Sequence, residues 1–326
     1  MSKYKLIAVL MITFTMILAA CNTDDESPDE NEDSSDSITI SGDLEDVELD
    51  EEAETVVALE WTYAEDLIAV DHEPAGVADI DGFHQFVNIG ETLSDDVIDV
   101  GTRQEPNLET IASLDPDLII GITFRHEGIR DQLEAIAPTV FFNPYPEEDE
   151  YDQYEEMEDT FRQIAKAVGK EEDALAVIDS LNDKYSEAEE AINDAALDTN
   201  ETILTYGWSA DQAPIFRLFT PNSMASIIME KVGLTNPYEP DSFEAYGYSE
   251  VNVEAFTNYE DANYLYIVEN DDDLYEGELA NHSVWNGLNF VEEGRTYQME
   301  SDTWLFGGPL SAEVLVEQIT ESMMSE

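Results

Sequence analysis

The stretch GTRQEPNLETIASLDPDLIIGITFRH, residues 101–126, decides the fold of this chain. Its second half holds an uninterrupted apolar run, 118–122, which begins after the turn Asp115-Pro116-Asp117. A short run without polar alternation reads as a strand buried on both faces, as in parallel sheets. Residues 108–114 have helical spacing, and Pro106 and Asn107 supply the helix start. A further short strand, 97–100, precedes Arg103, and the 118–122 strand exits at Arg125. In a chain with 12 basic and 77 acidic residues, two arginines at neighbouring strand exits mark a candidate binding site, because ligands of α/β folds gather at carboxyl ends of strands.

The same alternation continues on both sides of this unit. Strands are expected at 55–59, 74–78 and 139–142, with helices at 64–70 and 129–136. A long helical pattern follows through Tyr151, Tyr154, Met157, Phe161, Ile164 and Val168, stopped by Gly169. A second runs through Leu175, Ile178, Leu181, Tyr185, Ala188 and Ile192. Strands at 202–206, 264–268 and 295–299 and helices at 223–232 and 311–323 complete the pattern, with 213–221 read as a loop-like segment. The expected fold is α/β: an N-terminal lobe over 54–146, one long bridging helix over 147–169, and a C-terminal lobe over 170–326, with the ligand cleft between the lobes.

The first 20 residues carry Lys3 and Lys5 and then an apolar run ending in Leu18-Ala19-Ala20, the pattern of a cleaved secretory signal. Cys21, the sole cysteine, follows directly and resembles the lipid-bearing cysteine of a bacterial lipobox, so no disulfide framework is expected. Residues 21–53 are dominated by Asp, Glu and Ser and read as a disordered acidic tether. The net charge of −65 becomes −67 once Lys3 and Lys5 leave with the signal. Such a charge disfavours nucleic acid and anionic membrane surfaces as partners and suits surroundings of high salt, high pH or both.

No G-x-S-x-G, G-x-G-x-x-G or P-loop pattern is present, so nothing points to an enzyme. His72, His84, His126 and His282 are isolated and form no metal-binding pair; His126 is expected beside Arg125 in the cleft or as a helix cap. The arginines say more, since a planar, permanently charged fork suits carboxylate recognition. Arg130, Arg162 and Arg295 are read as partners of neighbouring acids. Arg103, Arg125 and Arg217 are read as ligand-facing. Aromatic pairs accompany them: Trp61 and Tyr63, Tyr206 and Trp208, Tyr246 and Tyr248, Trp304 and Phe306. Together they suit a compact anion with apolar edges.

Several segments resemble the iron-siderophore solute-binding lipoproteins of ABC importers, the helical-backbone (class III) binding proteins. They are VVALEWTYAEDLIAV (56–70), VGTRQEPNLETIASLDPDLIIG (100–121), RHEG (125–128), QLEAIAPTVFF (132–142), FRLFTPNSMASIIMEKVGL (216–234) and SDTWLFGGPLSAEVL (301–315). LDPDLIIG marks the broad family. GTRQEP with RHEG resembles the ferric-citrate branch, and the C-terminal segment the hydroxamate branch. The resemblance implies a receptor for ferric citrate or a citrate-based hydroxamate such as schizokinen, with little hinge motion and no cofactor. Iron would be held by the siderophore's oxygens, with no protein side chain on the metal. It implies that Arg103, Arg125 and Arg217 grip the anionic complex while Trp208, Tyr248 and Trp304 pack against it. It also implies that Glu109 and Glu254, one per lobe, dock to an ABC permease served by its ATPase. A monomer on the extracellular face, anchored by lipid alone, completes the expectation. The alternatives are a haem or cobalamin receptor of the same fold, or an extracellular hydrolase using the cleft.

Overall fold

The structure is a computed structural model that describes residues 37–148, 152–210 and 213–324. The signal peptide, Cys21 and the first part of the expected tether lie outside these residues. A β-hairpin, β1 (Ile38–Ile40) with β2 (Val47–Leu49), opens the described chain. This corrects the tether boundary. Ile40 is fully buried, Ser41 N–H donates to Gln163 Oε1 at 2.9 Å, and Ala53 N–H donates to the Ala167 carbonyl at 2.8 Å, so the hairpin is stitched to the helix carrying Gln163 and Ala167.

The N-terminal lobe then runs β3 (Val56–Ala58), α1 (Trp61–Ala69), β4 (Gly76–Val77), α2 (Ile80–Phe86), β5 (Ile98–Asp99), α3 (Leu108–Ser113), β6 (Leu118–Ile122), α4 (Thr123–His126), α5 (Arg130–Glu134) and β7 (Thr139–Phe142). Its five strands are parallel in the order β5-β4-β3-β6-β7. β3, the first in sequence, lies in the middle, so the crossovers reverse direction there. The central strands are buried on both faces, with successive side chains entering opposite cores. Val56, Ala58, Leu118 and Ile120 enter the core beneath α1, whereas Val57 and Ile119 enter the core holding Ile111 and Leu133 of α3 and α5. α1 begins three residues earlier than expected because Glu60, in extended backbone, caps it. The helix α2 was not anticipated.

Two helices, not one, join the lobes. α6 (Gln153–Ala167) is capped by Asp152, whose side chain accepts from Tyr154 N–H and Glu155 N–H at 3.0 and 2.8 Å. It buries Phe161 and Ile164 in the first lobe's core and Tyr154 and Met157 in the second's. α7 (Glu171–Asp194) does the same, with Ala174 and Ile178 in one core and Leu181, Tyr185, Ala188 and Ile192 in the other. Leu175, expected in that stripe, is 52% exposed, and Ala174 takes its place.

The C-terminal lobe holds β8 (Thr202–Ala210), β9 (Ala213–Phe219), α8 (Met224–Lys231), β10 (Tyr248–Val251), β11 (Asn263–Val268), α9 (Asn289–Glu292), β12 (Thr296–Gln298) and α10 (Pro309–Met324). The sheet order is β10-β9-β8-β11-β12, with β8, β11 and β12 parallel and β9 antiparallel to both its neighbours. The segment 213–221 is therefore largely strand, which corrects the loop reading and places Arg217 on a sheet opposite Tyr206 and Glu250.

Candidate functional site

The cleft is built at the reversal point of the first sheet. Glu60 leaves the carboxyl end of β3 and Arg103 follows β5. Arg125 follows β6, on α4. The loop carrying Arg103 is set by Gly101, at φ 99°, whose added Cβ would meet the Asn107 backbone nitrogen at 2.9 Å. Asn107 N–H donates to the Val100 carbonyl at 2.6 Å and the Asn107 side chain caps α3, fixing both ends of the turn.

Arg103 and Arg125 converge on one carboxylate. Arg103 Nη1 donates to Glu60 Oε1 at 2.6 Å and Arg125 Nη1 to Glu60 Oε2. The Arg103 guanidinium also lies 3.4 Å from the centre of the Trp61 ring. Trp61 Nε1–H donates to the carbonyls of Ala78 and Asp79, which holds the indole in place. His126 is fully buried and braces the pair from behind. Its Nδ1 accepts from Ile122 N–H at 3.0 Å and its Nε2–H donates to the Arg103 carbonyl at 2.7 Å. Burial lowers the ring's affinity for a proton below the ordinary histidine value, consistent with a neutral ring that uses both nitrogens on backbone. It stands behind the cleft wall and occupies the N-cap position of the short helix Glu127–Ile129, but its side chain makes no capping hydrogen bond there, which corrects the expected cleft-lining role.

Arg217 faces them from β9. Its guanidinium lies 4.5 Å from the Tyr248 ring centre and 5.5 Å from that of Trp208, and it forms no ion pair among the described residues. Its Nε is buried without a hydrogen-bond partner. Two adjoining cavities of about 300 and 320 Å³ share Arg103, Arg217, Trp304 and Phe306. Trp208 lines the first, and Arg125, Tyr248 and Glu60 line the second. All six expected ligand-facing residues thus border one continuous cleft. Of the aromatic pairs, Tyr63 alone is excluded from it, being buried beside Phe142.

Sequence reasoning missed Glu60, Phe124, Tyr145 and Phe86. Phe124 and Tyr145 meet Tyr246 across the mouth, with ring centres 6.3 and 4.8 Å apart, and Phe124 and Tyr246 remain about half exposed at 47% and 50%. Burial, reinforced by Glu60, pushes the Tyr145 phenol upward, so it stands at the cavity as a neutral hydroxyl.

Behind the cleft the lobes are knit together. Thr62 Oγ1 donates to the Phe306 carbonyl at 2.8 Å. Glu65, fully buried, accepts from Ser311 N–H at 2.7 Å and from Ser311 Oγ at 2.6 Å at the N-terminus of α10. Gly307 and Gly308 leave room for this approach, for a Cβ on either would run into Glu65, Ser311 or Asp66. Asp66 and Glu156 are buried nearby, and desolvation raises both, Glu156 to about 8.

Elsewhere, Arg130 pairs with Glu134 and Glu45, Arg162 with Glu158, and Arg295 with Glu293, as the neighbouring-acid reading holds. Glu109 lies exposed in the first turn of α3, and Glu254 exposed on the short helix after β10. Among the described residues no group of three or more His, Cys, Asp or Glu side chains is arranged to hold a metal ion.

Two α/β lobes around a cationic, aromatic cleft define a two-lobed small-molecule receptor. Residues 56–303 match the family model described as periplasmic binding protein, and the chain belongs to that family. It is 29% identical over 330 residues to the Fe(3+)-citrate-binding protein YfmC of Bacillus subtilis, covering 99% of this chain and 98% of that one. It is 25% identical over 336 residues to the probable siderophore-binding lipoprotein YfiY of the same organism, covering 96% and 95%. Among solved structures, Fe3+-Desferal-bound FhuD of Vibrio cholerae superimposes with a TM-score of 0.73 at 26% identity, covering 83% of this chain and 98% of that one.

Proposed function

We propose that this chain is the substrate-binding lipoprotein of an ABC importer, which captures ferric citrate or a citrate-based hydroxamate siderophore and delivers it to a membrane permease. The observation that carries this reading is the convergence of Arg103, Arg125 and Arg217, from both lobes, on a cleft walled by Trp208, Tyr248 and Trp304. Guanidinium forks complement the outward carboxylate and hydroxamate oxygens of a ferric complex, and the aromatic faces complement its methylene arms. Iron enters as cargo already wrapped in oxygen ligands. Exposed Glu109 and Glu254 are placed one on each lobe and serve as docking points for permease arginines. Cys21 anchors the protein by lipid to the outer face of the cell membrane.

Titrating intrinsic tryptophan fluorescence with ferric citrate, ferric schizokinen, haem and cobalamin at high salt tests the reading. A saturable response to a ferric complex is expected. No response to either ferric complex would sink it, and a response to haem or cobalamin alone would reassign the cargo. Replacing Glu109 and Glu254 with alanine should leave that titration unchanged while reducing uptake of labelled iron by cells.

A further inference from the structure

The cleft contains an acid where an anion receptor has most reason to exclude one. Glu60 is 6% exposed, lines the cavity, and holds one guanidinium on each of its oxygens. Arg103 and Arg125 therefore each commit an Nη1 donor inside the protein. Asp79 Oδ2 approaches Arg103 Nε at 3.8 Å, and the Trp61 ring lies against the same guanidinium. The wall is thus three guanidiniums and one fixed carboxylate. The adjoining cavity is lined mainly by apolar and aromatic groups, among them Phe86, Phe219, Leu305 and Trp304.

This arrangement has two consequences for a ligand. A face dense in carboxylates finds neither Arg103 nor Arg125 with its full fork free, and meets a like charge at close range. A complex with few charges and extended methylene or acyl arms keeps the guanidinium contacts and fills the apolar side. Resting on the siderophore-receptor reading above, we propose that Glu60 is the specificity-determining residue of the cleft. It sets a preference for a ferric complex of low negative charge with apolar arms, a citrate-based hydroxamate, over the multiply charged ferric dicitrate. In the hydroxamate class two hydroxamates and one hydroxycarboxylate wrap the iron and leave about a single negative charge, whereas ferric dicitrate retains several.

The test compares dissociation constants for ferric schizokinen and ferric dicitrate in the wild type and in Glu60→Gln, at fixed ionic strength. The wild type should favour ferric schizokinen by about tenfold or more, as expected for several like charges near one carboxylate. Glu60→Gln keeps the side chain's shape and should move that ratio about tenfold toward ferric dicitrate. A side chain that only held the loops in place would weaken both complexes together and leave the ratio unmoved. A ratio unchanged by Glu60→Gln overturns the proposal. A wild type that favours ferric dicitrate overturns it without recourse to a variant. If neither complex binds the wild type, the receptor reading itself fails and takes this proposal with it.

Discussion

Replacing Arg217 by alanine removes a cleft arginine that has no ion pair among the described residues, and this separates ligand capture from folding. Its guanidinium meets the Tyr248 and Trp208 rings, at 4.5 and 5.5 Å. Losing two partly buried cation–π contacts costs about 1–2 kcal/mol of stability. Under the proposed function the same change would delete a charge-assisted hydrogen bond to the ferric complex, worth about 2 kcal/mol, so the dissociation constant should rise about 30-fold. Arg103→Ala differs because it strips Glu60 of its 2.6 Å partner and Trp61 of the cation against its face. Leaving a buried carboxylate with one partner costs about 2–4 kcal/mol. The two variants should therefore lose comparable affinity while their urea midpoints separate, Arg217→Ala staying nearer the wild type. Fluorescence titration with ferric schizokinen and urea unfolding followed by circular dichroism measure the two quantities. An Arg217→Ala affinity within about threefold of wild type would refute the reasoning.

Glu65→Ala should destabilise the protein by about 2–4 kcal/mol, since it removes both hydrogen bonds to Ser311 and the carboxylate at the start of α10. Glu65→Gln, which can still accept from the Ser311 amide, should recover part of that in the same urea assay; equal losses would remove the capping argument. Glu156 is raised to about 8, above the roughly 4.3 of an unfolded glutamate, so between these values the folded chain holds a proton that the unfolded chain has lost. Its contribution is complete at acid pH and falls away as pH rises through about 8, and Glu156→Gln should flatten the decline measured by urea midpoints from pH 5 to 9; an unchanged slope would exclude it. With 77 acidic residues, the chain should gain stability between dilute buffer and about 1 M sodium chloride, where the screening length shrinks to about 3 Å; no gain would show that self-repulsion is not limiting.

The first lobe was legible because its strands announce themselves. β6 and β7 fall on the residues expected, since Leu118–Ile122 follows Asp115-Pro116-Asp117 and Thr139–Phe142 follows Pro138. β9 was hidden by Pro214. Pro214 pairs with Ser209 near the start of β9, outside the pairing with β10, which begins at Phe216, so no bond to β10 is lost there. The hairpin β1–β2 was hidden by composition, because two three-residue strands vanish in a stretch averaging strongly acidic. The arginines of the cleft stood out by rarity, whereas Glu60 did not, being one acid among 77. What distinguishes it is burial between two guanidiniums from separate strand exits, a coincidence that sequence spacing does not encode.

The seam formed by Thr62, Glu65, Phe306 and Ser311 has a consequence for signalling to the transporter. A receptor that snaps shut advertises its cargo by changing shape; one sewn closed along its back cannot do so on the same scale. Under the proposed function, loaded and ligand-free forms would then offer the permease nearly the same outline. That would leave the signal to the rings at the mouth, where Phe124 and Tyr246 are half exposed beside Tyr145. Delivery would then depend less on recognising a closed conformer than on prising a stiff body open once it is docked.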